Sequence, residues 1–342
     1  MRYNSFMQDT HIILAHGNGG RYMRELIEQI FAHHLRNPWL DIQTDAISLP
    51  CKPGELVVTT DGFTVKPLEF PGGNIGSLAV HGTINDLAVV GATPHYLTLN
   101  AFIEEGFEIV QLERLIKTLA ETAQINNVAI VAGDTKVVQR GEGGGLYLAT
   151  TGIGFRDPSI QLSMTKIQPG DAILISGSVG DHGIAVMLAR EQFGLRGDLC
   201  SDCASVLPLT QALLPLSGLR FMRDPTRGGL ATVAHEISQA TKHTLKLYQA
   251  AIPLHDPVQS VCEILGYDPL YLASEGRVVA VVAAEQADLA LAAWQALPQG
   301  HEAAIIGHVQ PTAGAARVIL QTELGGERLL EELEDDPLPR IC

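Results

Sequence analysis

The sequence predicts a mixed α/β protein of two domains, and three observations carry that reading. Short β-branched runs recur along the chain, each followed by a glycine-rich or acidic turn and then by a helix or another strand. The 342 residues exceed the size at which one hydrophobic core keeps growing, so two cores are expected. A hydrophobic content of 46%, with 34 glycines and 18 prolines, is ordinary for a globular chain. We place the first domain at residues 1–155, the second at 156–332 and a tail at 333–342.

In the first domain "ELVVTTDGF" reads as a strand that ends on Asp61-Gly62. "GNIGSLAVHGTINDLAVVGATP" has the apolar spacing of a helix stopped by Gly91 and Pro94. "NVAIVAGDTKVV" reads as a strand that reaches Gly133-Asp134 and continues through Lys136, Val137 and Val138. "GEGGG" at 141–145 reads as a hairpin turn, and "LYLATTGIGF" as an alternating strand. The second domain opens with the strand "DAILISG", followed by "SVGDHGIAVMLARE", a turn leading into a helix. "RDPTRGGLATVAHEISQAT" is a loop feeding a helix, while "RVVAVVAAE" and "AAIIGHVQP" are strands. The end, "LLEELEDDPLPRIC", passes from a short helix through acidic residues to two prolines, and is expected to be extended and solvated.

Charge and cysteine usage narrow the function. A formal charge of −15 argues against non-specific binding to nucleic acid or anionic membranes, so an anionic ligand would need help from a metal or from backbone N–H groups. The start of the chain lacks a leader pattern and no stretch reaches the roughly 18 apolar residues of a membrane span, so a cytoplasmic protein is expected. Cysteines at 51, 200, 203, 262 and 342 do not form a secreted disulfide framework. Reduced thiols are the default, which leaves the terminal Cys342 chemically available.

Three carboxylates suggest a site for Mg²⁺ and a nucleotide. Asp61 and Asp134 sit at glycine-flanked strand ends, and Asp86 falls on a helix after Asn85. Hard divalent cations prefer carboxylate and amide oxygens, with phosphate oxygens completing the shell of Mg²⁺. Taken singly, each is an ordinary turn or surface carboxylate, so the chemistry depends on their convergence. Ala79 and Gly82 keep small side chains on the helix face of Asp86. Lys136 shares a strand face with Asp134, where it either meets phosphate or pairs with the carboxylate. The glycine-rich stretches "HGNGGR", "SGSVGDHG" and "DPTRGG" suit backbone contact with phosphates, and Arg227 in the last of them suits a phosphate oxygen. Cys200 and Cys203 form a C-x-x-C without a second pair to complete a zinc site, and no H-E-x-x-H pattern is present.

Taken together, "LAHGNGG", "TTDGF", "HGTINDLAVVGATP", "AGDTKV", "ISGSVGDHG", "DPTRGGLAT", "ASEGR" and the terminal "PRIC" resemble the HypE family of hydrogenase maturation proteins. That family lies in the ATP-dependent superfamily of aminoimidazole ribonucleotide synthetase and selenophosphate synthetase. The resemblance implies the two-domain fold of that superfamily, with first domains pairing into a shared β-barrel in a homodimer. It implies a carbamoyl dehydratase that uses ATP and Mg²⁺ to convert a carbamoyl group on Cys342 into a cyano group for the iron of [NiFe]-hydrogenase. HypF would supply the carbamoyl group and a HypC–HypD complex would receive the cyanide; neither nucleic acid nor membrane is an expected partner. By the same resemblance Asp61, Asp86 and Asp134 take the metal, with Asn85, Thr135 and Arg227 beside the nucleotide. Lys136 would orient phosphate, and Glu275 would serve as the cleft's base or as a further polar contact. The extended tail, stiffened by Pro337 and Pro339, would carry Cys342 between solvent and the ATP cleft. Two alternatives stay open: a related synthetase acting on another acceptor, and a metal carrier using Cys200, Cys203 and Cys342.

Overall fold

The computed structural model describes residues 9–190, 197–312 and 314–333. Its first half begins with helices α1 (Arg21–Leu26) and α2 (Ala32–His34), joined by a π turn. There follow strand β1 (Glu55–Phe63), the two-residue strands β2 (Glu69–Phe70) and β3 (Gly73–Asn74), helix α3 (Ile75–Val89), β4 (Thr93–Glu104), α4 (Ile109–Ile125), β5 (Ala129–Val138) and β6 (Leu146–Arg156). The long strands form one sheet in the order β1-β6-β4-β5, antiparallel except for the parallel β4/β5 pair.

Helix α3 starts where Asn74 caps it. The Asn74 Oδ1 accepts from the N–H groups of Gly76 and Ser77, and Ser77 Oγ accepts in return from the Asn74 N–H. Thirteen of its 15 residues are buried, and the remaining two are His81 and Asp86. A helix apolar nearly all round belongs inside, and α3 is wedged between the first sheet and the second domain. The other face of the sheet is open, with Leu56 63%, Val58 57% and Phe102 42% exposed.

The second half contains β7 (Ala172–Ile175), α5 (Asp181–Ala189), α6 (Leu207–Leu213), β8 (Leu219–Arg223), α7 (Gly229–Thr241), β9 (Thr244–Tyr248), α8 (Asp256–Leu265), β10 (Val279–Val282), α9 (Ala287–Gln295), β11 (Ala304–Gln310), β12 (Val318–Gln321) and β13 (Glu327–Leu329). Its sheet runs β13-β12-β9-β11-β7-β10-β8. Alternate residues of β7 and β10 enter different cores. Ile173, Ile175, Val279 and Val281 pack with Leu230, Val233 and Ile237 of α7, whereas Leu174, Ala280 and Val282 pack with Leu209 and Trp294 of α6 and α9. Among the described residues no helix is long and apolar enough to cross a membrane.

Three local expectations are corrected. Asp61-Gly62 does not end its strand: both residues stay in β1, opposite Thr150 and Ala149 of β6. "GEGGG" is not a hairpin, because β4 lies between β5 and β6. The connection instead passes over the end of β4, where Glu104 accepts from the N–H groups of Gly141 and Gly145. "LLEEL" is not helical: Leu329 ends β13, and Leu330 is buried with its N–H bonded to Val318 O. The remainder of the tail, Cys342 included, lies outside the described residues.

Candidate active site

A missing side chain brings β1 and α3 together. A Cβ on Gly82 would lie 2.8 Å from Phe63 Cε1 and 3.9 Å from Asp61 Oδ2, so only glycine lets the helix settle on the strand without displacing Phe63. That approach sets Asp61 beside Asp86, one helical turn beyond Gly82. The Thr59 hydroxyl donates to Asp86 Oδ2 at 2.8 Å, and Arg227 Nη2 donates to Asp61 Oδ1 at 3.0 Å.

Arg227 arrives on the turn between β8 and α7. Gly228 and Gly229 adopt left-handed backbone there, with φ of +71° and +60°. A Cβ on Gly229 would stand 2.5 Å from Leu272 O, so the turn requires glycine on both counts. The same turn directs Asp224, only 7% exposed, toward Asp86. Glu275 enters from the loop before β10, a loop held by its backbone: Asp202 accepts from the N–H groups of Glu275 and Gly276, and Asn85 Nδ2 donates to Glu275 O. Asp61, Asp86, Asp224, Arg227 and Glu275 line one cavity of about 1000 Å³ between the domains.

Asp61, Asp86, Asp224 and Glu275, with Glu236 also in the lining, crowd carboxyl groups into one cavity. Burial raises Glu275 well above the usual carboxylate range, and Asp224, Asp202, Asp61 and Asp86 add to the shift. Burial, with the charges of Asp86 and Asp61, pushes Asp224 up to about 7. Asp86 is also raised by burial, partly offset by its bond from Thr59. Perturbed acids in a cleft mark a functional site. Among the described residues no group of three His, Cys, Asp or Glu side chains is arranged to hold a metal ion. Carboxylates sharing a cavity, such as Asp61 and Asp86, suit Mg²⁺ that arrives with phosphate oxygens, to which one or two carboxylates are added.

The predicted residues divide into two groups. Asp61, Asp86, Arg227 and Glu275 meet in the cavity. Asp134, Thr135 and Lys136 do not meet them within the chain, since they lie on β5 at the opposite edge of the sheet from β1. Asp134 and Lys136 are exposed, Asp134 Oδ1 accepts from the Thr135 N–H, and the buried Thr135 Oγ1 has no hydrogen-bond partner. The glycine-rich stretch from Gly17 lies against this strand, with a Cβ on Gly17 2.9 Å from Val137 Cβ. Asn85 turns away from the cavity and crosslinks backbone, donating to Ala204 O and Glu275 O and accepting from the Val206 N–H. Cys203 Sγ sits 3.5 Å from Nδ1 of His81, whose pKa burial lowers to about 4. Asp224 is the residue that sequence reasoning missed. Its signal was present in "DPTRGG", where only the arginine was singled out.

Both halves of the chain match family models of AIR synthase related proteins, the N-terminal domain over residues 43–155 and the C-terminal domain over residues 168–319. Fold and site thus define a two-domain protein of the AIR synthase class. The carbamoyl dehydratase HypE of Azotobacter vinelandii is 44% identical over 338 residues, covering 98% of each chain. A crystal structure of the hydrogenase maturation protein HypE in complex with ATP superposes with a TM-score of 0.91 at 42% identity, covering 96% of this chain and 99% of that one. HypE in a crystal structure of a HypE–HypF complex gives a TM-score of 0.78 at 42% identity, covering 90% and 99%. The chain belongs to the HypE family of carbamoyl dehydratases.

Proposed function

We propose that this chain is an ATP-dependent carbamoyl dehydratase of hydrogenase formation, acting on its own terminal cysteine. One observation carries the assignment of the carrier thiol: the last described residue, Leu333, lies against Gly228 at the rim of the acidic cavity. Nine residues then remain to Cys342, a span of at most about 30 Å when extended. The similarity to HypE in complex with ATP, at 42% identity over 96% of this chain, supports ATP as the nucleotide of this protein.

The chemistry explains the machinery. A carbamoyl thioester, Cys342–S–C(=O)–NH₂, must lose its oxygen to become Cys342–S–C≡N, and oxide is a very poor leaving group. The carbamoyl oxygen attacks the γ-phosphorus, ADP leaves, and one amide proton is lost to give Cys342–S–C(OPO₃²⁻)=NH. Loss of the second proton from nitrogen forms the C≡N bond as the C–O bond breaks and phosphate departs. Mg²⁺ supplies positive charge against the phosphates when bound with ATP. Asp61, Asp86 and Asp224 are the carboxylates placed to hold it. Arg227 and Lys136 orient phosphate oxygens. Glu275 is placed to take the amide protons, and its raised pKa makes its ionised form a stronger base than an exposed carboxylate.

The site is completed by a second copy of the chain. The open sheet face carrying Leu56, Val58 and Phe102 is an apolar surface that a monomer would leave wet. Apposing two such faces in a homodimer with β5 of one protomer beside β1 of the other brings Asp134, Thr135 and Lys136 to the cavity they fail to reach within one chain. HypF is the carbamoyl donor on this reading, supported by the HypE–HypF complex, and HypC–HypD the cyanide acceptor in the cytoplasm.

Intact mass after incubation with HypF, carbamoyl phosphate and ATP tests the reading. The wild type should gain one carbamoyl group and then lose one water, and Cys342→Ala should show neither change. ATP consumption with no adduct on Cys342 would replace this reading with a synthetase acting on another acceptor.

A further inference from the structure

The last four described residues are held beside the cavity by three side chains that do not line it. Leu330 is 2% exposed, and its carbonyl accepts from His235 Nε2 at 2.9 Å. A carbonyl can only accept, so Nε2 carries the proton. Glu331 O accepts from the Tyr271 hydroxyl at 2.6 Å, and Glu332 Oε2 accepts from Gln239 Nε2 at 2.8 Å. Leu333 then reaches Gly228, where an added Cβ would be 3.3 Å from Leu333 Cδ1.

These contacts set a direction. From His235 back to Gly228 the helix covers about 10 Å at its usual rise. From Leu330 to Leu333 an extended chain covers about the same. The contacts of Leu330 and Leu333 thus place the segment along α7 toward its N-terminal end, where Thr226, Arg227 and Thr232 line the cavity, while the Glu332 side chain reaches back to Gln239. His235, Gln239 and Tyr271 are absent from that lining, so their bonds serve the segment rather than a ligand.

We propose that His235, Tyr271 and Gln239 clamp the root of the C-terminal segment and are positioning residues that set how concentrated Cys342 is at the cavity. The inference rests on Cys342 being the carrier thiol. Nine residues separate Leu333 from Cys342, so at most about 30 Å of chain joins the thiol to the clamp. A short tether rooted near the cavity raises the effective concentration of the thiol there. Releasing residues 330–333 moves the root back to the end of β13 and lengthens the tether.

The test follows loss of one water from carbamoylated full-length protein in a single turnover. Tyr271→Phe combined with His235→Ala should slow it by about threefold or more at saturating ATP, with the KM for ATP unchanged. His235→Gln, which keeps an N–H donor, should restore most of the rate. In a second arm, full-length protein carrying Cys342→Ala dehydrates a free S-carbamoyl peptide of residues 334–342, and adding the clamp substitutions should leave that rate unchanged. Equal rates on the attached tail overturn the clamp, and so does equal slowing on the free peptide, which would place the effect in the cavity. A wild type that loses no water from Cys342 removes the carrier-thiol reading itself, a result separate from either.

Discussion

Asp224 keeps its proton up to about pH 7 in the folded chain, whereas an ordinary aspartate releases it near 3.8. Across that window the folded state binds more protons than the unfolded state, so this group makes the chain less stable as pH rises from 4 to 7. Asp224→Asn should flatten that part of a plot of thermal midpoint against pH, and should stabilise the nucleotide-free protein at pH 8 by about 1–2 kcal/mol. The same change should lower dehydration by about 100-fold or more in single-turnover mass measurements. Because a cation competes with these protons, wild-type affinity for Mg-nucleotide should rise between pH 6 and 8 and do so less steeply in Asp224→Asn, as titration calorimetry would show. Glu275→Gln keeps shape and removes the proposed base, with an expected loss of about 10²–10⁴-fold in the same turnover. An unchanged rate would remove Glu275 from proton transfer. None of these shifts was legible in the sequence, since each arises from burial and from charges on other elements.

At the scale of elements, the contact of α3 with β1 makes the site. Gly82→Ala would drive a methyl group into Phe63, and is expected to destabilise the chain by about 1–3 kcal/mol while weakening nucleotide binding. Thermal denaturation and calorimetry would check both effects, and loss of stability with normal binding would deny Gly82 its spacing role. Helix α3 was readable from its apolar run and from Gly91, which takes a φ of +83° just past its end. The path after β5 was not readable. A glycine-rich turn looks the same whether it joins paired neighbours or crosses over an intervening strand, and the strand order, with Glu104 on β4 bonded to the turn, shows which happened.

For the whole molecule, the division of predicted residues between β1 and β5 has a stoichiometric consequence. Asp61→Asn and Asp134→Asn should each inactivate a homodimer. In a mixed dimer one site receives Asp61 and Asp134 from unaltered positions of opposite chains. Equal mixing with subunit exchange should therefore recover about a quarter of wild-type activity. No recovery from a mixture shown to exchange subunits would mean the two residues do not share a site across protomers. Val58→Asp, on the open sheet face, should shift sedimentation toward monomer.

The sequence by itself determined the two-domain α/β class, six of the strands (β1, β5, β6, β7, β10 and β11) and the helices α3, α5 and α7, and its motifs carried the resemblance to the HypE family. These are local properties: periodicity, glycine and proline placement, and short motifs. Only the tertiary structure decided that Asp224 joins Asp61 and Asp86, that Asn85 is a crosslink, and that Asp134 and Lys136 stand at the far edge of the sheet. Strand order and turn direction set those distances, and carboxyl groups perturb one another only after non-local contacts have buried them together.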